Sequence, residues 1–504
     1  MGFSRRSFLS TFAAAPLAAQ RRLPNVVLIL IDDYGWRDTG YNGSTYYETP
    51  NIDGLARSGM VFTNGYSASP VCSPTRAAIM TGKYPARLHV TAHLQGASNR
   101  FHYTKVLQPS ARLELALDEV TIGELLREHG YRTACIGKWH LGKIGFLPSD
   151  QGFDVSLAGD EAGSTSNFFY PDWRKKIPLE GKPGEYLTDR LTDLAIDFIR
   201  SNKDRPFFLY LPHFAVHTPI QGKPDKVRKY DAKSQRGNSL QSTPVSPVTD
   251  ASDARLTPKG ESGAVSAQNY GEYAAMIESM DESVGRVLGS LRDLGLEQNT
   301  LVIFSGDNGG VTSREWKDRP ITSNLPLRLG KGHLYEGGIR VPTIVRWPGV
   351  TKPASTCHEP VVSYDYAPTI AEAAGIPHTK LPKMDGRSFT ALLKGSSGIG
   401  RTENFWHYPH YSPQGGRPSA VIRRGNDKLI LFFEDSRVEL YNLKNDVGET
   451  TDLAASEPAK ALDLRRRLED WLRETRAQLP KPNPNHDPAR EREPGPPMGP
   501  ATAK

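Results

Sequence analysis

Long apolar runs, paired cysteines and internal repeats are all missing from this 504-residue chain. No internal stretch approaches the ~20 consecutive apolar residues of a membrane-crossing helix, which argues against a transmembrane protein. Three cysteines, Cys72, Cys135 and Cys357, stand far apart. An odd and widely spaced set spells neither a disulfide framework nor a zinc knuckle. A basic face is missing too, although the formal net charge is +7. Arg5, Arg6, Arg21 and Arg22, together with the stretch 223–259, where eight Lys/Arg meet four Asp, account for the whole excess. The remainder is near neutral, which argues against nucleic acid as a partner.

What is present is an ordinary globular composition, 38% hydrophobic and 24% charged, on a chain long enough to bury a large core. Residues 1–22 read as a signal peptide. Arg5-Arg6 precedes Ser-Phe-Leu, and Phe12 to Ala19 contains only Ala, Pro, Leu and Phe, the layout of a twin-arginine-type export signal. The protein is therefore expected to be exported, periplasmic or secreted, along a route that carries folded proteins.

Four apolar runs read as buried strands, and each ends in polar residues. Asn25 to Ile31 delivers Asp32 and Asp33; Arg132 to Gly137 delivers Lys138 and His140; Pro206 to Leu211 delivers His213 and His217; Thr300 to Ser305 delivers Asp307 and Asn308. Helical patterns at Val120–His129, Tyr186–Asn202 and Asn269–Leu294 lie between them. Strands alternating with helices predict an α/β fold with a doubly wound sheet, in which ligands bind beyond the carboxyl ends of the strands. The catalytic domain is placed at 23–400, with an irregular, low-complexity surface insertion at about 222–267. A smaller C-terminal α+β subdomain is read at 401–479, with short antiparallel strands at 419–423, 428–433 and 439–443 and a helix from Pro458 to Arg476. Residues 480–504 read as a disordered Pro-rich tail.

The donors Asp32, Asp33, Asp307 and Asn308 offer only oxygen, which suits a hard divalent cation; either pair alone could equally form a turn or cap a helix. Pro74 favours the first turn of a helix ending at Gly82, so Cys72 and Arg76 sit at its start, where backbone N–H groups favour anions. That describes a nucleophile beside an anion site, or else a buried structural cysteine. A cysteine-dependent phosphatase loop wants Arg six positions after Cys, whereas here the interval is four. Cys135 reads as a small buried hydrophobe and His213 as structural.

Cys72-Ser-Pro-Thr-Arg76, continuing to Pro85, resembles the signature of the type I, formylglycine-dependent sulfatases of the alkaline phosphatase superfamily. The likeness extends through Leu30–Gly35, Thr49–Asp53, Gly137–Gly142, His217–Pro219, Ser305–Gly309 and Gly330–Pro342, and spans Pro24 to about Arg476. It implies a large domain around a mixed, mostly parallel sheet. It also implies that a formylglycine-generating enzyme oxidises Cys72 before export, and that the hydrated aldehyde attacks sulfur to give a covalent sulfate ester.

By the same resemblance Asp32, Asp33, Asp307 and Asn308, with residue 72, would hold one Ca²⁺ in preference to Mg²⁺. Arg76 would steady the hydrate and the cation site, Lys138 and Lys331 would neutralise sulfate oxygens, and His217 would protonate the leaving alcohol, with Lys331 as a possible helper. His140 would take the proton whose loss expels sulfate. Glu336 would shape the loop after Lys331. Sulfated carbohydrates are the expected substrates. His93, His333, the segment 167–173 and Trp406–His410 are candidate leaving-group contacts, although Ala92-His93 departs from the Asp-Trp expected of carbohydrate sulfatases. Two alternatives remain: a phosphate or phosphonate ester hydrolase using the same site, and an inactive polysaccharide-binding homologue.

Overall fold

In the computed structural model, which describes residues 23–93, 102–235, 268–313, 320–491 and 493, the run Asn25–Ile31 is the middle of the sheet. Eight strands compose that sheet: β1 (Asn25–Ile31), β2 (Met60–Phe62), β3 (Arg132–Ile136), β4 (Val155–Leu157), β5 (Phe207–Pro212), β6 (Thr300–Gly306), β7 (Thr343–Arg346) and β8 (Ser355–Cys357). Their order is β8-β2-β7-β6-β1-β5-β3-β4. Strand β7 pairs antiparallel with β6 and β2, and the other pairings are parallel, so β7 alone runs against the rest. This is the mixed, mostly parallel sheet expected.

The unbroken apolar run of β1 is explained by helices on both faces. Alternate residues Val27, Ile29 and Ile31 enter one core and Val26, Leu28 and Leu30 the other. The helices longer than four residues are α1 (Pro50–Ser58), α2 (Cys72–Thr81), α3 (Ile122–Glu128), α4 (Leu187–Ser201), α5 (Pro224–Gln235), α6 (Gly271–Asp293), α7 (Tyr366–Ala373) and α8 (Pro458–Glu474). Leu191 of α4 and Ile277, Met280 and Val284 of α6 pack on the first face; Ile79 of α2, Leu125 of α3 and Ile370 of α7 pack on the second.

Helix α5 corrects the expectation of an irregular insertion over its described part. Its apolar residues are too few for a visible period, and charge seats it instead: Lys226 Nζ lies 2.7 Å from Glu278 Oε1 and 2.5 Å from Glu282 Oε1, both on α6. The rest of that stretch, 236–267, and the expected signal at 1–22 lie outside the described residues.

The C-terminal subdomain is a four-stranded antiparallel sheet, β9 (Glu403–Tyr408), β10 (Ser419–Arg424), β11 (Asp427–Phe432) and β12 (Val438–Asn442). Helix α8 lies against it through Leu464, Leu468 and Trp471, and Trp471 stacks on Phe405 at 4.8 Å. Strand β9 was not foreseen. The tail also needs correcting up to residue 491. Lys481 and Pro482 pair with Leu107 and Val106, and Asn483 Nδ2 donates to His102 O at 2.8 Å and Thr104 O at 2.7 Å. Proline favours extended backbone, and extended backbone can pair along an edge. No helix among the described residues is long and apolar enough to cross a membrane.

Candidate active site

Four adjacent strands, β6, β1, β5 and β3, end on one side of the sheet, and their next residues turn inward. Backbone bonds bind these turns to each other: Asp32 N donates to Ala215 O, Asp307 N to Ile31 O and Lys138 N to Pro212 O, at 2.8 to 3.0 Å. Asp33 and His140 both adopt left-handed backbone, φ 57° and 56°, a conformation uncommon outside glycine and concentrated at functional turns. Gly137 (φ 126°) is required by space as well, since a Cβ there would stand 2.0 Å from Pro212 O.

Helix α2 opens at Cys72, and Thr75 Oγ1 folds back onto both N and O of Ser69 at 3.1 Å to set its entry. Lys331 arrives on a loop locked by Lys331 N to Gly310 O (3.1 Å) and Gly332 N to Pro70 O (2.9 Å).

These segments bring Cys72, Asp32 and Asp307 together, with one ligand atom of each within 4.8 Å of the others and all three residues buried. Arg76 donates from Nε and Nη2 to Asp307 Oδ2 at 2.9 and 2.8 Å, and from Nη1 to Lys138 O at 2.6 Å. Lys138 Nζ lies 2.7 Å from Asp32 Oδ2, and Lys331 Nζ lies 2.8 Å from Asp33 Oδ2. Asn308 Nδ2 donates to Asp33 Oδ1 at 2.8 Å, and His217 Nε2 stands 3.5 Å from Asp33 Oδ2.

Four buried atoms in this set have no hydrogen-bond partner: Asp32 Oδ1, Asn308 Oδ1 and both ring nitrogens of His140. Orphaned buried oxygens are costly, and two of them in an all-oxygen donor set fit a hard cation.

Charge follows the geometry. Burial, followed by the neighbouring Asp307 and Asp33, pushes Asp32 well above the usual carboxylate range despite Lys138. Burial acts on Asp33 as well, but Lys331, His217 and Lys138 outweigh it and hold that carboxyl low. Burial raises the Cys72 thiol. Burial and the nearby lysines lower His217 to about 3, and burial with Lys138 and Arg76 lowers His140 well below the ordinary imidazole value.

Half-buried His93 lies near enough to Lys331 and Lys138 for their charges to reinforce the effect of burial, which lowers it to about 4. His333 stands apart from this group. Its Nε2 meets Gln414 O at 3.0 Å, and the charge that acts on it is Arg328, so it braces the Lys331 loop against the C-terminal subdomain. His213 bonds Ser283 Oγ at 3.1 Å inside the core. Trp406 is buried with Nε1 on Ser67 O, and Trp173 with Nε1 on Leu179 O, whereas His410 Nε2 pairs with Thr91 Oγ1 at 2.9 Å. Within the expected segment 406–410 it is Tyr408 whose hydroxyl is within electrostatic reach of Cys72 and Lys331; nothing in a strand pattern marks which side chain of a separate sheet that will be.

Residues 24–376 match the Sulfatase family, and residues 329–478 match the family described as N-sulphoglucosamine sulphohydrolase, C-terminal. A sulfatase of Formosa agariphila is 35% identical over 89% of this chain and 88% of its own length. Human arylsulfatase A is 33% identical over 91% and 84%. The crystal structure of Ps i-CgsB in complex with k-i-k-neocarrahexaose is similar with a TM-score of 0.71 at 27% identity, covering 93% of this chain and 96% of that one. With a family match over most of its length and relatives aligned nearly end to end, this chain belongs to the sulfatase family.

Proposed function

We propose that this sulfatase acts on sulfated carbohydrates through formylglycine made from Cys72 and one bound Ca²⁺. The observation that carries the reading is the meeting of a buried residue 72, three carboxylates, the Asn308 amide and two lysines beyond the ends of four adjacent strands. The raised thiol of Cys72 supports it from the other side, because a protonated, buried thiol is a poor nucleophile.

Asp32, Asp33, Asp307 and Asn308 would hold the cation, whose charge acidifies an attacking oxygen and offsets that of sulfate. Oxidation of Cys72 by a formylglycine-generating enzyme before export would supply that oxygen. Lys138 and Lys331, each fixed by a carboxylate, stand ready to absorb negative charge on the sulfuryl oxygens as it grows, without reorganising. Arg76 ties Asp307 to the Lys138 backbone and so keeps the acid and the lysine in register.

His217 Nδ1 is 2.8 Å from Thr218 O, which assigns the proton to Nδ1 and turns Nε2 toward the cluster. An anionic ester raises the depressed affinity of Nε2 for a proton, so that this nitrogen can deliver one to the leaving alcohol. His140, neutral and partnerless on both nitrogens, is the acceptor for the proton lost when sulfate departs.

The carbohydrate class is supported by the oligosaccharide bound to Ps i-CgsB and by a relative named N-acetylgalactosamine-6-sulfatase from Mus musculus, 32% identical over 74% of this chain. His93, beside both lysines, is the proposed contact to the sugar. Export by the twin-arginine route is proposed from residues 1–22.

The test is sulfate release from a panel of defined sulfated saccharides, beside a sulfate and a phosphate ester of one aryl alcohol. Turnover of at least one saccharide, with sulfate preferred over phosphate, is expected. Faster phosphate turnover would replace this reading with a phosphoesterase. Absence of all turnover, with plain cysteine in the residue-72 peptide after co-expression with a modifying enzyme, would leave a binding protein.

A further inference from the structure

The C-terminal subdomain sends Lys428, Glu449 and Arg423 into the frame of the site. Lys428, on β11, is fully buried, with Nζ 2.9 Å from Glu336 Oε1 and 2.7 Å from Glu449 Oε1. Glu336 Oε2 accepts from Arg340 Nε and the Tyr66 hydroxyl, both at 2.7 Å, and Glu336 N donates to Glu449 Oε2 at 2.7 Å. Two carboxylates buried this closely repel one another unless a cation lies between them, and Lys428 is that cation.

Glu336 closes the loop that carries Lys331. Around it the backbone is packed against backbone: Gly337 N donates to Arg328 O, Gly309 N to Gly338 O, Lys331 N to Gly310 O and Gly332 N to Pro70 O, at 2.9 to 3.1 Å. A Cβ on Gly337 or Gly338 would stand 2.1 or 1.9 Å from a carbonyl oxygen of the same loop. A segment so tightly packed moves as one body, so a shift at Glu336 reaches Lys331, Pro70 before Cys72 and Gly309 after Asn308.

We infer that Lys428 is a positioning residue: by holding Glu336 against Glu449 it sets the place of the Lys331 ammonium in the sulfate site. The inference rests on the role proposed for Lys331.

A double-mutant cycle tests it, using calcium-loaded, modified enzyme and an aryl sulfate, with kcat and KM measured separately. Lys331→Ala is expected to lower kcat about 10²- to 10³-fold. Lys428→Met is expected to lower kcat about tenfold in the native background and less than about twofold beside Lys331→Ala, because a residue acting through Lys331 has nothing left to position. Lys428→Arg should recover part of the loss. Leu468→Ala, in the subdomain core, should lower the thermal midpoint and leave kcat unchanged below it.

Should Lys428→Met fail to fold, the isosteric Glu449→Gln carries the same cycle, with a loss of about threefold that vanishes beside Lys331→Ala. A loss that persists undiminished in the Lys331→Ala background, or an unchanged kcat in a folded variant at Lys428 or Glu449, overturns the inference. An unchanged kcat in Lys331→Ala overturns the role of Lys331 itself, a separate and recognisable result.

Discussion

Two buried charge clusters lie close together in this protein, and they are built to opposite rules. Around Glu336 the carboxylate oxygens of Glu336 and Glu449 all lie within 3 Å of Lys428, Arg340, Tyr66 or a backbone N–H, the contact of Lys428 with Glu449 Oε1 being an ion pair without hydrogen-bond geometry. Around Cys72 three carboxylates face Arg76, Lys138 and Lys331, yet Asp32 Oδ1 has only the Arg76 guanidinium at 3.8 Å, and Asn308 Oδ1 and both ring nitrogens of His140 have no hydrogen-bond partner. Both clusters are equally dry. The first is complete and holds shape; the second is left incomplete where a cation and an anionic substrate would complete it. A buried polar network tolerates missing partners only where binding can supply them.

The sharpest way to break this comparison is Cys72→Ala. It should reduce kcat/KM for sulfate release by about four orders of magnitude or more, with the thermal midpoint unmoved. A parallel fall in stability would deny that the second cluster is functional. Next comes Lys428→Met, expected to cost about 3–5 kcal/mol in urea unfolding because buried Glu449 loses its cation and Glu336 is left with Arg340 alone. Asp32→Asn, in cation-free protein, should cost less, since it relieves the repulsion of Asp32 by Asp307 and Asp33 while the amide oxygen can still accept from Lys138 Nζ. Equal losses would erase the distinction.

Calcium separates the two again. At a hundredfold excess over its dissociation constant it should stabilise the protein by about 2.7 kcal/mol, as read from the calcium-dependent rise in the melting temperature. That rise should disappear in Asp32→Asn and survive in Lys428→Met.

The smallest effect concerns His213, which belongs to neither cluster and is lowered by burial to about 4. Below pH ~6.5 the unfolded chain takes a proton that the folded ring refuses, so stability falls as pH drops from ~6.5 toward 4. His213→Asn should flatten the slope of urea midpoint against pH in that window by up to one proton. An unaltered slope would place the ring in water.

Much of this was legible in order along the chain. Strand β1 and the acids after it, the start of α2 at Cys72, and the long helices α4 and α6 are local matters of period, β-branching and caps. Helix α5 was not, because ion pairs to α6 replace an apolar stripe. Strand β9 was missed because Trp406–His410, which overlaps its end, was read for its chemistry alone. His333 misled because a histidine two residues after Lys331 shares its loop and points to Gln414 instead.

Residue type and spacing therefore determined most of the strands and helices, the clustering of the acids at strand ends, and the family. Only the tertiary structure decided which carboxylate is held ionised, which oxygen is left without a partner, and that a lysine 97 positions beyond Lys331 anchors its loop. The reason is physical: a pattern along the chain reports what each residue prefers, whereas a charge out of water answers to whatever lies within a few ångströms, and those neighbours come from everywhere in the sequence.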